Sequence, residues 1–383
     1  MQYNFDNPPS RQGSLCYKWD CKPGELPMWI ADMDFEAAPE IRAALQKRLD
    51  HGIFGYDDMG DAWYGAYIAW WRDRHGLTME KDHLIFSAGV VASVSSLVRK
   101  LTTANENVLI QTPVYNIFFN SILNNGARVL ESPLRCDGEN WSIDFDDLEQ
   151  KLADPQTSLM ILCNPHNPVG RIWTREELAQ IGALCHKHHV TVISDEIHCD
   201  LTAPGLGYLP FAAVDETCRA ISITCIAPTK AFNLAGMHSS AVYAADPVLR
   251  HKAWRALNTD EVAEPNSFAA PAAIAAFREG GNWLDQARAY IWENKRLVKD
   301  FADRELPGVK VCVSDATYLL WVDVSARTNK VQEFTDRLRA ATGLWVTPGT
   351  AYGKTGEGYF RMNLACPRAA VEDALGRLKR FLQ

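Results

Sequence analysis

The chain has no C-x-x-C pair, no Lys/Arg run, no internal repeat and no low-complexity linker. The missing cysteine pairs argue against a zinc ribbon or a thioredoxin-like redox centre. Ten cysteines, from Cys16 to Cys366 with Cys312 among them, are spread over 383 residues. That sparse spacing, without an export pattern over Met1 to Ser10, is expected of reduced thiols in a cytoplasmic protein. Lys+Arg 39 against Asp+Glu 47 gives a net charge of −8, which excludes a broad nucleic-acid surface or an anionic-membrane anchor. No apolar run is long enough to span a bilayer; residues 107–127 lack charge but are interrupted by Asn116, Asn120, Asn124 and Asn125.

What is present is an alternation of short apolar runs and helical patterns between about residues 80 and 250. The runs are His83–Phe86, Val108–Gln111, Arg128–Glu131, Ser158–Cys163, Thr191–Ser194, Ala220–Ile226 and Ser239–Ala244. Continuous apolar strands between helices predict an α/β unit with a mostly parallel seven-stranded sheet covered on both faces. Thr174 and Glu177 have capping-box spacing ahead of Leu178, Ile181 and Leu184, so a helix should begin there. After Gly280-Gly281 the pattern changes. Asn282 to Glu305 reads as one helix of roughly 35 Å, long enough to join two domains. Strands Val309–Val313 and Thr317–Val324 and a closing helix past Arg368 then predict a smaller α+β unit. The expected division is 1–50 packing on the small domain, 51–285 as the large domain and 286–383 as the small one.

Five places in the large unit carry chemistry. Lys230 follows a buried-looking strand in Ala227-Pro228-Thr229-Lys230-Ala231-Phe232, where desolvation would lower its pKa and free the amine for nucleophilic attack. Asp195 ends the strand Val192–Ser194, and parallel sheets bind ligands at that end. A carboxylate there can keep a pyridine nitrogen protonated. Asn164-Pro165-His166-Asn167-Pro168-Val169-Gly170 is a rigid loop able to aim one amide, that of Asn167. Gly89, Val90 and Val91 turn from strand into helix and offer backbone N–H groups to a phosphate. Tyr115, after Thr112-Pro113, could stack on a flat heterocycle. Each alone has an ordinary structural explanation; their placement on successive strand ends is the signal.

In that order the residues resemble the fold-type I pyridoxal-phosphate enzymes, the aspartate-aminotransferase-like superfamily, over essentially the whole chain. The resemblance implies that Lys230 binds pyridoxal 5′-phosphate covalently and acts as the catalytic base. Asp195 would pair with the ring nitrogen, Asn167 and His198 would lie near the ring hydroxyl, and Tyr115 would stack on the ring. Val90, Val91 and Thr229 would hold the phosphate, with Tyr56 reaching it from the neighbouring subunit of a homodimer. Arg361, in Tyr359-Phe360-Arg361-Met362-Asn363, would grip the substrate α-carboxylate, helped by Tyr115 and the N–H of Ala31. His238 stands where many members carry a phosphate-binding arginine.

Three strings resemble the cystathionine β-lyase / C–S lyase branch: Met28-Trp29-Ile30-Ala31-Asp32-Met33-Asp34-Phe35, Ser194-Asp195-Glu196-Ile197-His198-Cys199-Asp200 and Asn363-Leu364-Ala365-Cys366-Pro367-Arg368. They imply α,β-elimination from a sulfur amino acid to thiol, pyruvate and ammonia. An aminotransferase with the same machinery, or a regulatory binding protein that keeps the fold, are the competing expectations. No metal centre is expected. Cys185-His186-Lys187-His188-His189 reads as the exposed end of a helix, Gly353-Lys354-Thr355-Gly356 lacks the helix of a P-loop, and Trp63 to Trp71 reads as core or dimer surface.

Overall fold

The computed structural model describes residues 2–138, 140–311 and 313–383. Met1 and Cys312, which figure in the sequence reading, lie outside the described residues. The seven apolar runs form seven strands of one sheet: β1 (Leu84–Ser87), β2 (Asn107–Ile110), β3 (Arg128–Glu131), β4 (Thr157–Cys163), β5 (Thr191–Asp195), β6 (Ser222–Ile226) and β7 (Ser240–Tyr243). Their order is β1-β7-β6-β5-β4-β2-β3, with β7 antiparallel to both neighbours and the remaining pairs parallel.

The alternation within each strand decides what covers each face. Leu159, Ile161 and Cys163 of β4 pack with Val94, Leu97 and Val98 of helix α1 (Val90–Leu101). Met160 and Leu162 point the other way, onto Leu178, Ile181 and Cys185 of helix α2 (Arg175–Lys187). Fully burying each such side chain stabilises by roughly 1.5–3 kcal/mol, so a register slip of one residue is strongly disfavoured. Helix α2 starts where its capping box places it: Glu177 N–H donates to Thr174 Oγ1 at 3.2 Å, and Thr174 N–H to Glu177 Oε2 at 2.8 Å.

Helix α3 (Gly281–Glu305) links two cores. Its Trp283, Leu284, Ala287 and Ile291 join the core beside the large sheet, whereas Val298 and Ala302 join the core of a second sheet. That sheet is antiparallel and four-stranded, ordered β8 (Lys310–Val311), β9 (Leu319–Asp323), β11 (Tyr359–Asn363) and β10 (Thr347–Pro348). The last helix, α4 (Arg368–Leu382), buries Val371, Ala374, Leu375 and Leu378 on it.

The N-terminal segment departs from the expectation that it packs on the small unit alone. Leu26 and Pro27 pair in parallel with Leu344 and Trp345, and Leu26 and Met28 enter the small core. The helix Pro39–His51 instead lies on the alanine-rich helix Ala269–Glu279, and Phe5, Met33, Phe35 and Ile41 enter the large core. Small side chains on Ala269–Glu279 allow that close approach, a contact between residues over 200 apart that local periodicity does not encode. The aromatic stretch is core: Trp63, Tyr67, Trp70 and Trp71 are all buried. No helix of the described residues is long and apolar enough to cross a membrane.

Candidate active site

The parallel strands β2, β4, β5 and β6, together with β1, end on one edge of the large sheet, and a cavity opens there. It is lined by Ala31, Gly89, Val90, Val91, Tyr115, Asn167, Asp195, His198, Thr229 and Lys230, each singled out from sequence. Ala88, Cys163, Ile197, Ala235, His238 and Ser239 complete the wall. Two expected residues are not on it. Arg361 lies just behind, bonded to Asn167, and Tyr56 is fully exposed in the segment between two helices.

Register explains the state of Asp195. Its backbone partners are Cys163 on β4 and Cys225 on β6, so sulfur and aliphatic side chains surround it. Its Oδ1 accepts from the Ile197 N–H at 3.1 Å, and no described Lys, Arg or His forms an ion pair with it. Burial foremost pushes its pKa up to about 7, with the Glu196 carboxylate adding to the rise and the Ile197 N–H and Lys230 opposing it. A buried carboxylate with no ion-pair partner that faces a cavity suits a protonated ring nitrogen.

Lys230 shows the complementary shift. Burial and then the Arg361 charge bring its pKa down to about 8, against Asp32 and Asp195, which favour the ammonium. Its Nζ donates to the Ala31 carbonyl at 2.5 Å. His198 is pushed down to about 3 by burial, with Lys230 and Arg361 adding to the effect, so its ring is neutral; its Nδ1 has no protein partner. Burial raises Tyr115 to about 12, leaving an uncharged phenol. Helix α1 begins at Val90 behind Gly89, and its first N–H groups have no intrahelical acceptor and face this cavity.

Arg361 is 5% exposed and donates to Asn167 Oδ1 at 3.2 Å and to the Trp29 carbonyl at 3.1 Å. It stands over the Tyr352 ring, 4.8 Å from the centroid, and its buried Nε has no partner. No carboxylate of a described residue pairs with it. A guanidinium desolvated this far and left without an acid is suited to receive a carboxylate. Together these groups can hold a flat, phosphorylated, basic heterocycle and a carboxylate-bearing ligand side by side.

A model of the aminotransferase class I and II family matches residues 27–378. The chain belongs to that family. Among family relatives it is 42% identical to cystathionine beta-lyase PatB of Bacillus subtilis, over 99% of this chain and 100% of that protein. It is 31% identical to protein MalY of Escherichia coli over 98% of each chain. The solved structure of cystalysin from Treponema denticola, which contains a pyridoxal 5′-phosphate cofactor, superposes with a TM-score of 0.97 at 32% identity, covering 100% of this chain and 99% of that one.

On α2, Cys185 is buried while His186 and, just beyond the helix, His189 are exposed. The group among the described residues that could hold a metal is His75, Cys199 and Asp200, which that reading did not raise. There Asp200 Oδ1 already accepts from His75 Nε2 at 2.8 Å and Trp70 Nε1 at 2.9 Å. Sequence reasoning also gave no role to Trp29 and Tyr352, which the fold sets beside Arg361.

Proposed function

We propose that this protein is a pyridoxal-phosphate-dependent carbon–sulfur β-lyase of the cystathionine β-lyase type. It converts cystathionine or cysteine S-conjugates to thiol, pyruvate and ammonia. The observation that carries the reading is full-length similarity to a cystathionine β-lyase, joined to a cavity whose chemistry suits that cofactor. When bound, pyridoxal phosphate supplies an electron sink for the pair left on Cα when its proton departs.

The chain's own groups do the rest. Asp195 offers a buried negative charge to the ring nitrogen, and the N–H groups of Val90 and Val91 with Thr229 offer donors to the phosphate. Tyr115 provides a flat face, while Asn167 and neutral His198 lie toward the ring hydroxyl. Arg361 takes the substrate α-carboxylate, which fixes Cα–H toward Lys230. The Lys230 amine then accepts the Cα proton. The Cβ–S bond breaks with its electron pair leaving on sulfur, and the thiolate takes up a proton, which Lys230 can supply. The three-carbon remainder hydrolyses to pyruvate and ammonia.

Exposed Leu49, Ile53, Phe54 and Tyr56 form an apolar edge suited to a second copy. We infer a homodimer in which Tyr56 of one protomer reaches the phosphate at its partner's site. The free cysteines of the described residues accord with a reducing cytoplasm. The deciding assay gives purified protein L-cystathionine with and without 2-oxoglutarate. Pyruvate and thiol released in equal amounts without the keto acid are expected. Amino transfer that requires the keto acid, with no thiol released, would make the protein an aminotransferase.

A further inference from the structure

The segment Trp29–Phe35 is tied to both halves of the site through its backbone. Arg361 donates to the Trp29 carbonyl and Lys230 to the Ala31 carbonyl. Asn363, two residues after Arg361, donates from Nδ2 to the carbonyls of Ile30 at 2.7 Å and Asp32 at 2.5 Å. Asn233, three residues after Lys230, accepts from the Met33 N–H at 3.0 Å and donates to the carbonyls of Met33 and Phe35 at 3.0 and 2.9 Å. The outward side chains are clamped by charge: Arg11 pairs with Asp32 and Asp34 at 2.7 and 2.8 Å, and buried Lys18 with Asp34 at 2.6 Å. Seven residues with no regular secondary structure are thus held by two amides, each a few positions from a residue of the site.

We propose that Asn233 and Asn363 are positioning residues that stretch this strap between the large and small units, so that the Ala31 carbonyl holds the Lys230 amine when it is free and the Trp29 carbonyl holds Arg361. The proposal rests on the reading of Lys230 given above. A carbonyl that accepts one N–H restricts rotation of the amine and leaves its lone pair for the reacting atom, as a catalytic base requires. Accepting that bond also favours the ammonium over the neutral amine. Besides the carbonyl, the charged and titratable groups facing Lys230 are Asp32, Asp195, Arg361 and His198.

Asn233 has a left-handed backbone, φ 57°, so Asn233→Gly removes the amide without imposing strain. The primary readout is covalent capture of pyridoxal phosphate by apoprotein, followed by absorbance against pH. Capture needs the neutral amine, which adds to the aldehyde carbon with loss of water. For the unsubstituted chain its rate should rise with pH through about 8. In Asn233→Gly the midpoint should fall by roughly half a unit to one unit as the carbonyl drifts away. Steady-state assays should show kcat down about 10- to 100-fold with KM within about threefold. Asn363→Ala removes the donors to the Ile30 and Asp32 carbonyls without adding a charge, so its midpoint should shift in the same direction. If Asn233→Gly lowers the melting temperature while midpoint and kcat stay put, the residue is merely structural and the proposal fails. If the Gly variant does not fold, an unshifted Asn363→Ala overturns the proposal equally. Unsubstituted apoprotein that captures no cofactor at any pH defeats the functional reading and, with it, this one; normal capture with unshifted variants defeats this one alone.

Discussion

Lys230→Ala should lower thiol release from L-cystathionine by about 10³-fold or more and leave the purified protein without the visible absorbance of bound pyridoxal phosphate. The expectation follows from where the residue sits. Lys230 follows β6 on the loop beyond Ile226, at the sheet edge shared with Asp195, and among the described residues it is the one lysine lining the cavity. Its depressed pKa, about 8, leaves a usable fraction of neutral amine near neutrality, and that fraction grows as pH rises toward 8. Alanine removes both the anchoring amine and the base, so loss of colour and loss of turnover should occur together. A variant that is colourless yet turns over at a rate close to the unsubstituted enzyme would remove Lys230 from the mechanism.

Asp195→Ala should cut kcat by about 10²- to 10³-fold while leaving phosphate-mediated affinity largely in place. The two effects separate because they belong to different parts of the cavity: Asp195 ends β5, whereas the N–H groups proposed to hold the phosphate lie at the start of α1. Asp195 has no ion-pair partner, and burial holds its pKa up at about 7. A ring nitrogen that binds a proton there lowers the Asp195 pKa, so in the loaded site the carboxylate stays ionised and the ring stays protonated. Alanine leaves the ring nitrogen no such counter-charge, and the electron sink weakens. Equilibrium binding of pyridoxal phosphate and single-turnover thiol release would be compared. An unchanged kcat would contradict the role of the buried charge, and loss of all binding would show that Asp195 anchors more than the ring.

Much of this was legible from local pattern. The apolar runs that became β1 to β7 could be read because a sheet covered on both faces needs continuous hydrophobic strands. Thr174 and Glu177 marked the start of α2 because a capping box is a purely local device. Gly89, Tyr115, Asn167, Asp195 and Lys230 were legible because each stands at or just beyond a strand end, where such sheets bind ligands. Legibility failed where contacts join distant parts of the chain. Nothing around Asn233 or Asn363 signals that both amides bind the backbone of residues 30–35. Within Val309–Val313 the described residues that pair are Lys310–Val311, and Thr317–Val324 was read too long: Thr317, with φ 65°, turns the chain before β9 starts at Leu319. Arg361 could be named from its string, yet its lack of an acidic partner, which suits it to a carboxylate ligand, emerges only once β11 is paired.

The most direct test is chemical. Holoprotein reduced with borohydride, digested and sequenced by mass spectrometry should carry the pyridoxyl phosphate mass on the peptide containing Lys230 and on no other lysine. A label on a different lysine, or no label in protein incubated with the cofactor, would contradict the account at its centre.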